Sequence, residues 1–340
     1  MGPQPLERRV ILEAGKRAFE SEAVLNPAAY IDGDQVHLFY RAVRTGNFSS
    51  IGYAVFDKGE LSYRALEPVL KPERSWERHG VEDPRLVRLE DRFQMFYVAY
   101  DGHDVQIARA EAKMLPYFKK EGPVSPMITY GEIKKLCKIG DPNSYLCSYA
   151  EADLPSNQLL WDKDSFIFPE RVGGKLVMVH RIHPNMQLLF FDSFEQLDKK
   201  YWLHYLGDLE SQTVLRRRFW FENGYIGGGA PPVRTEAGWL MIYHAVEQED
   251  GKRTYRAGAA LLDLENPLKV IGRLRQPLFG PEEKWERVGI VPDVVFPTGA
   301  VIRGETLEVY YGAADTCIGM ISFRLAELLT ELKNSPEEDI

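Results

Sequence analysis

The sequence predicts an all-β protein, a five-bladed β-propeller with a C-terminal helix and an insertion between blades 2 and 3. The first observation is a repeat, because five segments share a proline, a polar turn and a β-rich run that ends in a ring. The segments are NPAAYIDGDQVHLFYRA (26–42), DPRLVRLEDRFQMFYVA (83–99), FPERVGGKLVMVHRI (168–182), PPVRTEAGWLMIYHA (231–245) and FPTGAVIRGETLEVYYGA (296–313). Each is typical of two strands joined by a tight turn.

The second observation is the spacing of these repeats. Their prolines stand at 27, 84, 169, 232 and 297, and most intervals are about sixty residues, which suits a four-stranded blade. The longer interval after the second proline predicts an insertion at about 114–157. Because one repeat cannot bury its own faces, we expect a single domain over 1–340. A two-sheet β-sandwich is the alternative, but it would not require five matching segments.

The third observation is the aromatic content and the scarcity of helical patterns. Tyr, Phe and Trp make up 12% of the chain, which favours β-structure and also a site that stacks against sugar rings. One helix is predicted, FRLAELLTELKNS (323–335), because its apolar residues recur at helical spacing.

The charge and the apolar pattern restrict the partners. A formal charge of −8 argues against nucleic acid or an anionic membrane surface as the main partner. No apolar run approaches the roughly 18 residues that a membrane span needs. No signal-peptide core is visible at the N-terminus, so a cytoplasmic and a periplasmic location both stay open. A homo-oligomer is open as well.

The cysteine and glycine patterns predict no cofactor. Cys137, Cys147 and Cys317 are an odd number without CxxC spacing, so neither a disulfide framework nor a zinc site is expected. The glycine-rich IGGGAPP opens a strand rather than a helix, so it lacks the geometry of a dinucleotide site. We therefore expect no metal and no cofactor.

Equivalent positions of the five repeats predict a site. If the blades superpose, residues at the same repeat position form a ring around one axis. The residues before the prolines are Asn26, Asp83, Phe168, Pro231 and Phe296. The residues after the closing rings are Arg41, Val98, Arg181, His244 and Tyr311. An acid that faces a basic cluster in an aromatic-lined mouth is a reasonable active site.

Each of these residues also has a structural interpretation. Arg41 could be a salt-bridged framework residue, His244 a packed histidine, and Asp83 a turn former. Their shared register favours the functional interpretation. Asp315, in YYGAAD, is a further carboxylate near the end of the last repeat. The phrase WER occurs twice, and its Glu77 and Glu286 are interpreted as blade architecture because they repeat.

Several motifs, in order, resemble those of glycoside hydrolase family 130, the family of mannoside phosphorylases and β-mannosidases. The motifs are NPAAY…FYRA, GVEDPRL with FYVAYDG, FPERVGGKLVMVHR, IGGGAPPVRTEAGWLMIYHAV, AALLDLENP, GIVPDVVFPTGA and YYGAAD. The match runs from about residue 20 to 322. The resemblance implies a five-bladed propeller, which agrees with the repeat count.

The resemblance also implies roles for individual residues. Inverting cleavage of β-mannosides would use Asp83, in the EDPR motif, as the general acid. The mannose unit would be held by Asn26 of the NP motif and Arg41 of the YRA motif. Asp315 would hold sugar hydroxyls.

The nucleophile divides the family, and here the implied pattern is mixed. Phosphorylases need a cationic cradle for phosphate. Arg181 and His244 match two of its positions, whereas Lys163 stands where the pattern has arginine and Tyr225 where it has lysine. Tyr225 is kept as a substrate-binding candidate. A hydrolase instead needs a carboxylate that activates water. Glu222 stands in the right neighbourhood, with a surface pairing to Arg216–Arg218 as its structural alternative.

Three functions follow, in order of expectation. The first is an inverting glycosidase that hydrolyses β-mannosides, with β-1,2-linked oligosaccharides as substrate, Asp83 as acid and Glu222 as base. The alternative is an inverting β-mannoside phosphorylase that uses inorganic phosphate and releases mannose 1-phosphate. The third is a propeller that binds glycans without catalysis, against which the retention of Asp83 with Asn26 and Arg41 argues.

Overall fold

The computed structural model describes residues 3–139, 146–147 and 155–336. The prediction of an all-β protein is confirmed, because the described chain is built mainly from antiparallel strands in four sheets. The largest sheet, of eight strands, is described here as two groups, which gives five groups along the chain. The first group is β2 (Ala23–Asp32), β3 (Gln35–Arg44), β4 (Phe48–Asp57) and β5 (Glu60–Arg64). The second is β6 (Gly80–Leu89), β7 (Arg92–Tyr100), β8 (Val105–Ala112) and β9 (Lys119–Pro123).

The other three groups follow along the chain. The third is β10 (Lys163–Ile167), β11 (Leu176–Arg181), β12 (Met186–Phe191) and β13 (Thr213–Leu215). The fourth is β14 (Tyr225–Gly228), β15 (Val233–Thr235), β16 (Gly238–Glu249), β17 (Lys252–Leu262) and β18 (Val270–Arg273). The fifth is β19 (Val295–Arg303), β20 (Thr306–Ala313), β21 (Cys317–Arg324) and the N-terminal strand β1 (Pro5–Leu12).

Neighbouring groups contact each other, in most cases through their first strands. Strand β6 lies against β2, β10 against β6, and β14 against β10, while β19 contacts both β2 and β16. A single parallel bridge between Ser49 and Gly80 joins the first two groups into one eight-stranded sheet. Strand β1 pairs with β21, so residues from both ends of the chain lie in the fifth group.

Short helices lie between and after the groups. The described α-helices are α1 (Tyr130–Ile139), α2 (Lys199–Leu206), α3 (Lys284–Arg287) and α4 (Leu325–Lys333). The predicted C-terminal helix is confirmed as α4, whose Leu328 and Leu332 are buried one turn apart. Phe323 and Arg324, which were predicted to be helical, end strand β21 instead.

The predicted insertion at 114–157 is only partly described. Its Lys119–Pro123 forms β9, the fourth strand of the second group, so the segment outside the sheet begins after Pro123. Helix α1 packs Ile133 into the core between the second and third groups, and 140–145 and 148–154 lie outside the described residues. Cys137 and Cys147 form a disulfide with their Cα atoms 5.5 Å apart, so the expectation of no disulfide is wrong for this pair.

One buried carboxylate–ring pair recurs in every group. Four tyrosines donate hydrogen bonds to glutamates, namely Tyr40 to Glu20, Tyr97 to Glu77, Tyr243 to Glu222 and Tyr311 to Glu286, at 2.6–2.8 Å. In the third group, His180 Nδ1 lies 3.1 Å from Asp162 Oδ1. All five carboxylates are fully buried. The interpretation of Glu77 and Glu286 as architecture is confirmed.

The tyrosine of this pair requires a small partner on the next strand. Tyr40, Tyr243 and Tyr311 lie opposite Gly52, Gly258 and Gly319, and a Cβ at any of these glycines would collide with the ring. Tyr311, rather than Tyr310, fills this role in the fifth group. The residue that follows the closing ring there is therefore Gly312 and not Tyr311, which corrects the predicted ring position.

Candidate active site

Three residues share an unusual backbone position at the start of the first three groups. Asn26 and Asp83 adopt left-handed φ angles of 48° and 49°, and Asp164 adopts 59°. Each lies at a register shift between the first two strands of its group. Non-glycine residues seldom adopt such angles, and Asn and Asp tolerate them best. The equivalent of Asn26 and Asp83 in the third group is therefore Asp164, and the prediction of Phe168 was wrong.

The missed residue had a signal in the sequence. Asn26 and Asp83 precede their closing rings, Tyr40 and Tyr97, by 14 residues, whereas Asp164 precedes His180 by 16. The third hairpin is thus two residues longer than the first two, and the alignment on Pro169 treated it as two residues shorter. Aligning the repeats on a polar residue before a strand, rather than on proline, would have found Asp164.

The first cluster, here called the acid cluster, contains Asn26, Arg41, Glu82, Asp83 and Asp315. Asn26 Nδ2 donates a 2.8 Å hydrogen bond to Asp83 Oδ1. Arg41 holds Glu82 at 2.9 Å, lies 3.6 Å from Asp83 and donates to Ser49 Oγ at 2.9 Å. The predicted residues Asn26, Arg41 and Asp83 are therefore together, and Glu82 joins them.

The pKa values of Asp315 and Glu82 are raised within the acid cluster. Burial raises the pKa of Asp315 to about 6, with Asp83 and Glu82 adding to it and Arg41 opposing it. Burial and the adjacent Asp83 also raise the pKa of Glu82 against the pull of Arg41. Asp315 therefore interacts electrostatically with Arg41 and Asp83, and its predicted role in holding sugar hydroxyls stays a prediction. A cluster that disfavours full ionisation can retain a proton near neutral pH.

The second cluster, here called the anion cradle, contains Lys163, Asp164, Arg181, Tyr225 and His244. Arg181 Nε donates to Asp164 Oδ2 at 2.7 Å, and His244 Nε2 lies 3.8 Å from the same oxygen. The Arg181 guanidinium lies over the Tyr225 ring, 4.7 Å from its centre. The Tyr225 hydroxyl lies 2.7 Å from that of Tyr255.

Burial sets the charges in the anion cradle. It lowers the pKa of His244 to about 4, with Arg181 and Arg85 adding to the effect and Asp164 opposing it. For Asp164 burial favours the neutral acid, but Arg181, His244, Arg85 and Lys163 together lower its pKa. At neutral pH the cradle therefore holds a neutral imidazole at His244 and an ionised carboxylate at Asp164, beside the guanidinium of Arg181 and the side chain of Lys163.

Two cations connect the acid cluster to the anion cradle. Lys163 interacts electrostatically with Glu82 and with Asp164, and its Nζ lies 5.4 Å from the centre of the Trp161 ring. Arg85 is fully buried, donates to the carbonyls of Asp83 and Gly229, and interacts with the carboxylates of Asp83 and Asp164. The two clusters are thus parts of one site.

Glu222 does not belong to this site, which corrects its predicted role as a base. Its Oε1 accepts from Tyr243 and from Arg273 at 2.6 and 2.8 Å. Its Oε2 accepts from the backbone N–H groups of Arg218 and Phe219. Both oxygens are occupied and the side chain is fully buried, so Glu222 has no access to a water molecule. The alternative of a surface pairing with Arg216–Arg218 is wrong for the same reason.

Other features of the described residues lie apart from the site. No group of His, Cys, Asp or Glu among them could hold a metal ion, and none of their helices is long and apolar enough to cross a membrane. A cavity of about 550 Å³ lies between the first and fifth groups, but its lining, which includes Arg9, Lys58 and Arg303, contains no residue of either cluster.

Comparisons with known proteins show the family to which this chain belongs. The model of glycoside hydrolase family 130, described as beta-1,4-mannooligosaccharide phosphorylase, matches residues 5–334. The chain belongs to glycoside hydrolase family 130. Among family members, a 1,2-beta-oligomannan phosphorylase of Thermoanaerobacter sp. (strain X514) is 33% identical over 334 residues, 95% of this chain and 97% of the relative.

Two further family members are similar over most of their length. A beta-1,2-mannobiose phosphorylase of the same Thermoanaerobacter strain is 34% identical over 318 residues, 89% of this chain and 90% of the relative. The solved structure of the beta-1,2-mannobiose phosphorylase from Listeria innocua, in complex with beta-1,2-mannobiose, has a TM-score of 0.70 at 22% identity. It covers 98% of this chain and 97% of its own, which shows the shared fold.

Proposed function

We propose that this family 130 protein is an inverting β-mannoside phosphorylase that acts on β-1,2-linked mannosides. The observation that carries the proposal is the anion cradle beside the acid cluster. Arg181 and Lys163 provide the cradle with positive charge. Lys163 interacts electrostatically with Glu82 of the acid cluster, and Arg85 interacts with both Asp83 and Asp164. The two similar Thermoanaerobacter proteins are phosphorylases of β-1,2-linked substrates. Hydrolysis was the first expectation from the sequence, but Glu222, the base that it required, is buried outside the site.

The proposed chemistry is one direct displacement. Asn26, Arg41 and Asp315 hold the mannose unit, and phosphate bound by Lys163, Arg181 and His244 attacks its anomeric carbon. The new bond joins that carbon to a phosphate oxygen while the glycosidic C–O bond breaks. Asp83 supplies the proton that the leaving oxygen gains, directly or through a sugar hydroxyl. Inversion of a β-mannoside gives α-mannose 1-phosphate and the shortened sugar.

We further propose that the five groups close into a five-bladed propeller, one domain over 1–340 with the site at its axis. The contacts of β19 with β2, the pairing of β1 with β21 and the recurrent carboxylate–ring pair support this closure. In such a ring Asn26, Asp83 and Asp164 would lie at equivalent distances from the axis. Their shared left-handed backbone is consistent with that placement.

Hydrolysis remains the second candidate because of two observations in the anion cradle. Tyr225 provides no charge where the phosphorylase pattern has lysine, and Asp164 adds a negative charge beside Arg181. Both features weaken an anion site. A carboxylate that is ionised and close to the acid cluster is also the kind of group that can activate water.

Product analysis tests the proposal. The protein would be incubated with β-1,2-mannobiose and with a β-1,4-linked mannobiose, each with and without inorganic phosphate, and the products separated. We expect mannose 1-phosphate from the β-1,2-linked sugar only when phosphate is present. Free mannose at a rate that does not depend on phosphate would contradict the proposal and support hydrolysis.

A variant of the general acid provides the control. Asp83→Asn keeps a side-chain oxygen for the Asn26 amide but cannot donate a carboxyl proton, so turnover should fall by about 10²–10⁴-fold. Binding of mannobiose, measured by calorimetry, should persist. A fully active Asp83→Asn variant would show that the acid is another residue.

A further inference from the structure

We propose that Asp164 is the specificity-determining residue of the anion cradle, whose negative charge limits phosphate affinity and so sets the balance between phosphate and water as the attacking group. The inference rests on the proposed function and extends it to a residue with no role predicted from the sequence. Asp164 contacts the two residues, Arg181 and His244, that the phosphorylase pattern assigns to the anion.

The geometry puts the carboxylate in competition with phosphate. Asp164 Oδ2 accepts from Arg181 Nε at 2.7 Å, so a bound phosphate must share this guanidinium with an anion already present. His244 Nε2, 3.8 Å away, faces the same oxygen. Like charges that share one cation repel each other strongly where water is excluded.

The carboxylate is fixed in this place. Asp164 is 7% exposed and His244 is fully buried. A Cβ at Gly227 would collide with both side chains, so the backbone of β14 lies directly against them. Swinging Asp164 away when phosphate arrives would therefore require repacking, and its charge stays beside Arg181. The lowered pKa of Asp164 agrees with a permanent charge.

The chain itself contains the matched neutral side chain. Asn26 occupies the equivalent bulge of the first group, with φ 48° against 59° for Asp164. The Asp164→Asn variant is thus compatible with the backbone, and its amide oxygen can still accept from Arg181 Nε. The substitution removes the charge and keeps the shape, which isolates the electrostatic contribution.

The experiment measures phosphate binding and product ratio together. Inorganic phosphate would be titrated into the wild type and Asp164→Asn by calorimetry, and mannose 1-phosphate and free mannose would be quantified at fixed phosphate. We expect the Kd of the variant for phosphate to be about tenfold lower and its share of free mannose to be smaller. Unchanged or weaker phosphate binding by the folded variant would overturn the inference.

Two further variants protect the interpretation. Asp250→Asn makes the same substitution at another left-handed residue, φ 48°, in an exposed turn outside the cradle, and should leave phosphate binding unchanged. Asp164→Ser removes the charge with a different side chain and should shift phosphate binding in the same direction as Asp164→Asn. If the wild type forms no mannose 1-phosphate, the proposed function fails, while the calorimetric comparison still decides the role of Asp164.

Discussion

Tyr243 donates a 2.6 Å hydrogen bond to Glu222, and Tyr311 donates one of the same length to Glu286. In both groups the other carboxylate oxygen accepts two backbone N–H groups at the turn that precedes the first strand. An arginine completes each pair, Arg273 with Glu222 and Arg8 with Glu286. The glutamate thus ties its turn to the second strand and to the outer strand of the same group.

This relationship predicts that Glu222→Gln destabilises the protein without removing a base. An amide cannot accept from Tyr243, Arg273 and two backbone groups at once, so a buried cation loses its partner. We expect a loss of about 2–4 kcal/mol in the free energy of unfolding, measured by chemical denaturation. The turnover of the remaining folded protein should stay within about threefold of wild type.

Glu286→Gln is the matched control, because its surroundings repeat those of Glu222 in another group. Both variants should lose similar stability and retain similar turnover. If Glu222→Gln alone lost activity by 10³-fold or more while staying as stable as wild type, Glu222 would be catalytic after all and the structural assignment would be wrong.

Much of the fold could be predicted because each repeat has a recognisable local sequence pattern. The prolines, the tight turns and the closing rings recur at the same offsets in the first two groups, which fixes the strand pairs there. The alignment of the third group was wrong because its hairpin is longer and because Ser165 stands where the first two groups have Pro27 and Pro84. A residue count cannot tell a lengthened hairpin from a shortened one without the pairing register.

The candidate site was predictable only where family motifs or the repeat pointed to it. Asp83 contacts Asn26 and Arg41, and Asp315 interacts electrostatically with Arg41 and Asp83. Arg181 and His244 face one carboxylate, that of Asp164. The roles predicted for these residues stay predictions. Tyr255 was missed because it reaches Tyr225 across strand β16, a contact that spans 30 residues of sequence. Glu222 was misassigned because proximity along the chain to Tyr225 does not reveal the direction of a buried side chain.

The position of Arg181 predicts that it cannot be replaced by lysine. Its Nε is held by Asp164, and its guanidinium plane lies over the Tyr225 ring. Lysine would supply a charge but not the planar fork that binds two anion oxygens. We expect Arg181→Lys to raise the KM for phosphate by about tenfold or more, with little change in the KM for β-1,2-mannobiose.

Initial rates against phosphate and against sugar separate these effects. Arg234→Lys is the control, because Arg234 forms an exposed 2.8 Å ion pair with Glu170 outside both clusters, and its kinetic constants should not change. An Arg181→Lys variant that lost affinity for mannobiose but not for phosphate would place Arg181 in the sugar subsite instead of the anion cradle.

Asp315 predicts a pH dependence of stability. Its pKa of about 6 in the folded protein lies above its ordinary value of 3.8, so the folded state retains this proton to a higher pH than the unfolded state does. The favourable contribution is therefore complete below about pH 4 and is lost as the pH rises to about 6. Asp315→Asn, which cannot ionise, should gain stability relative to wild type over that range, about 3 kcal/mol at pH 7. Thermal unfolding of both proteins from pH 4 to 7.5 measures the difference, with Asp250→Asn as the control for removing a carboxylate elsewhere.

The quantity to follow is the Tm of Asp315→Asn minus the Tm of wild type, which should increase as the pH rises. If it stayed constant over this range, the acid cluster would not hold the Asp315 proton. If the Tm of Asp315→Asn minus that of wild type decreased as the pH rises, Arg41 would outweigh burial and the neighbouring carboxyls in setting the pKa of Asp315.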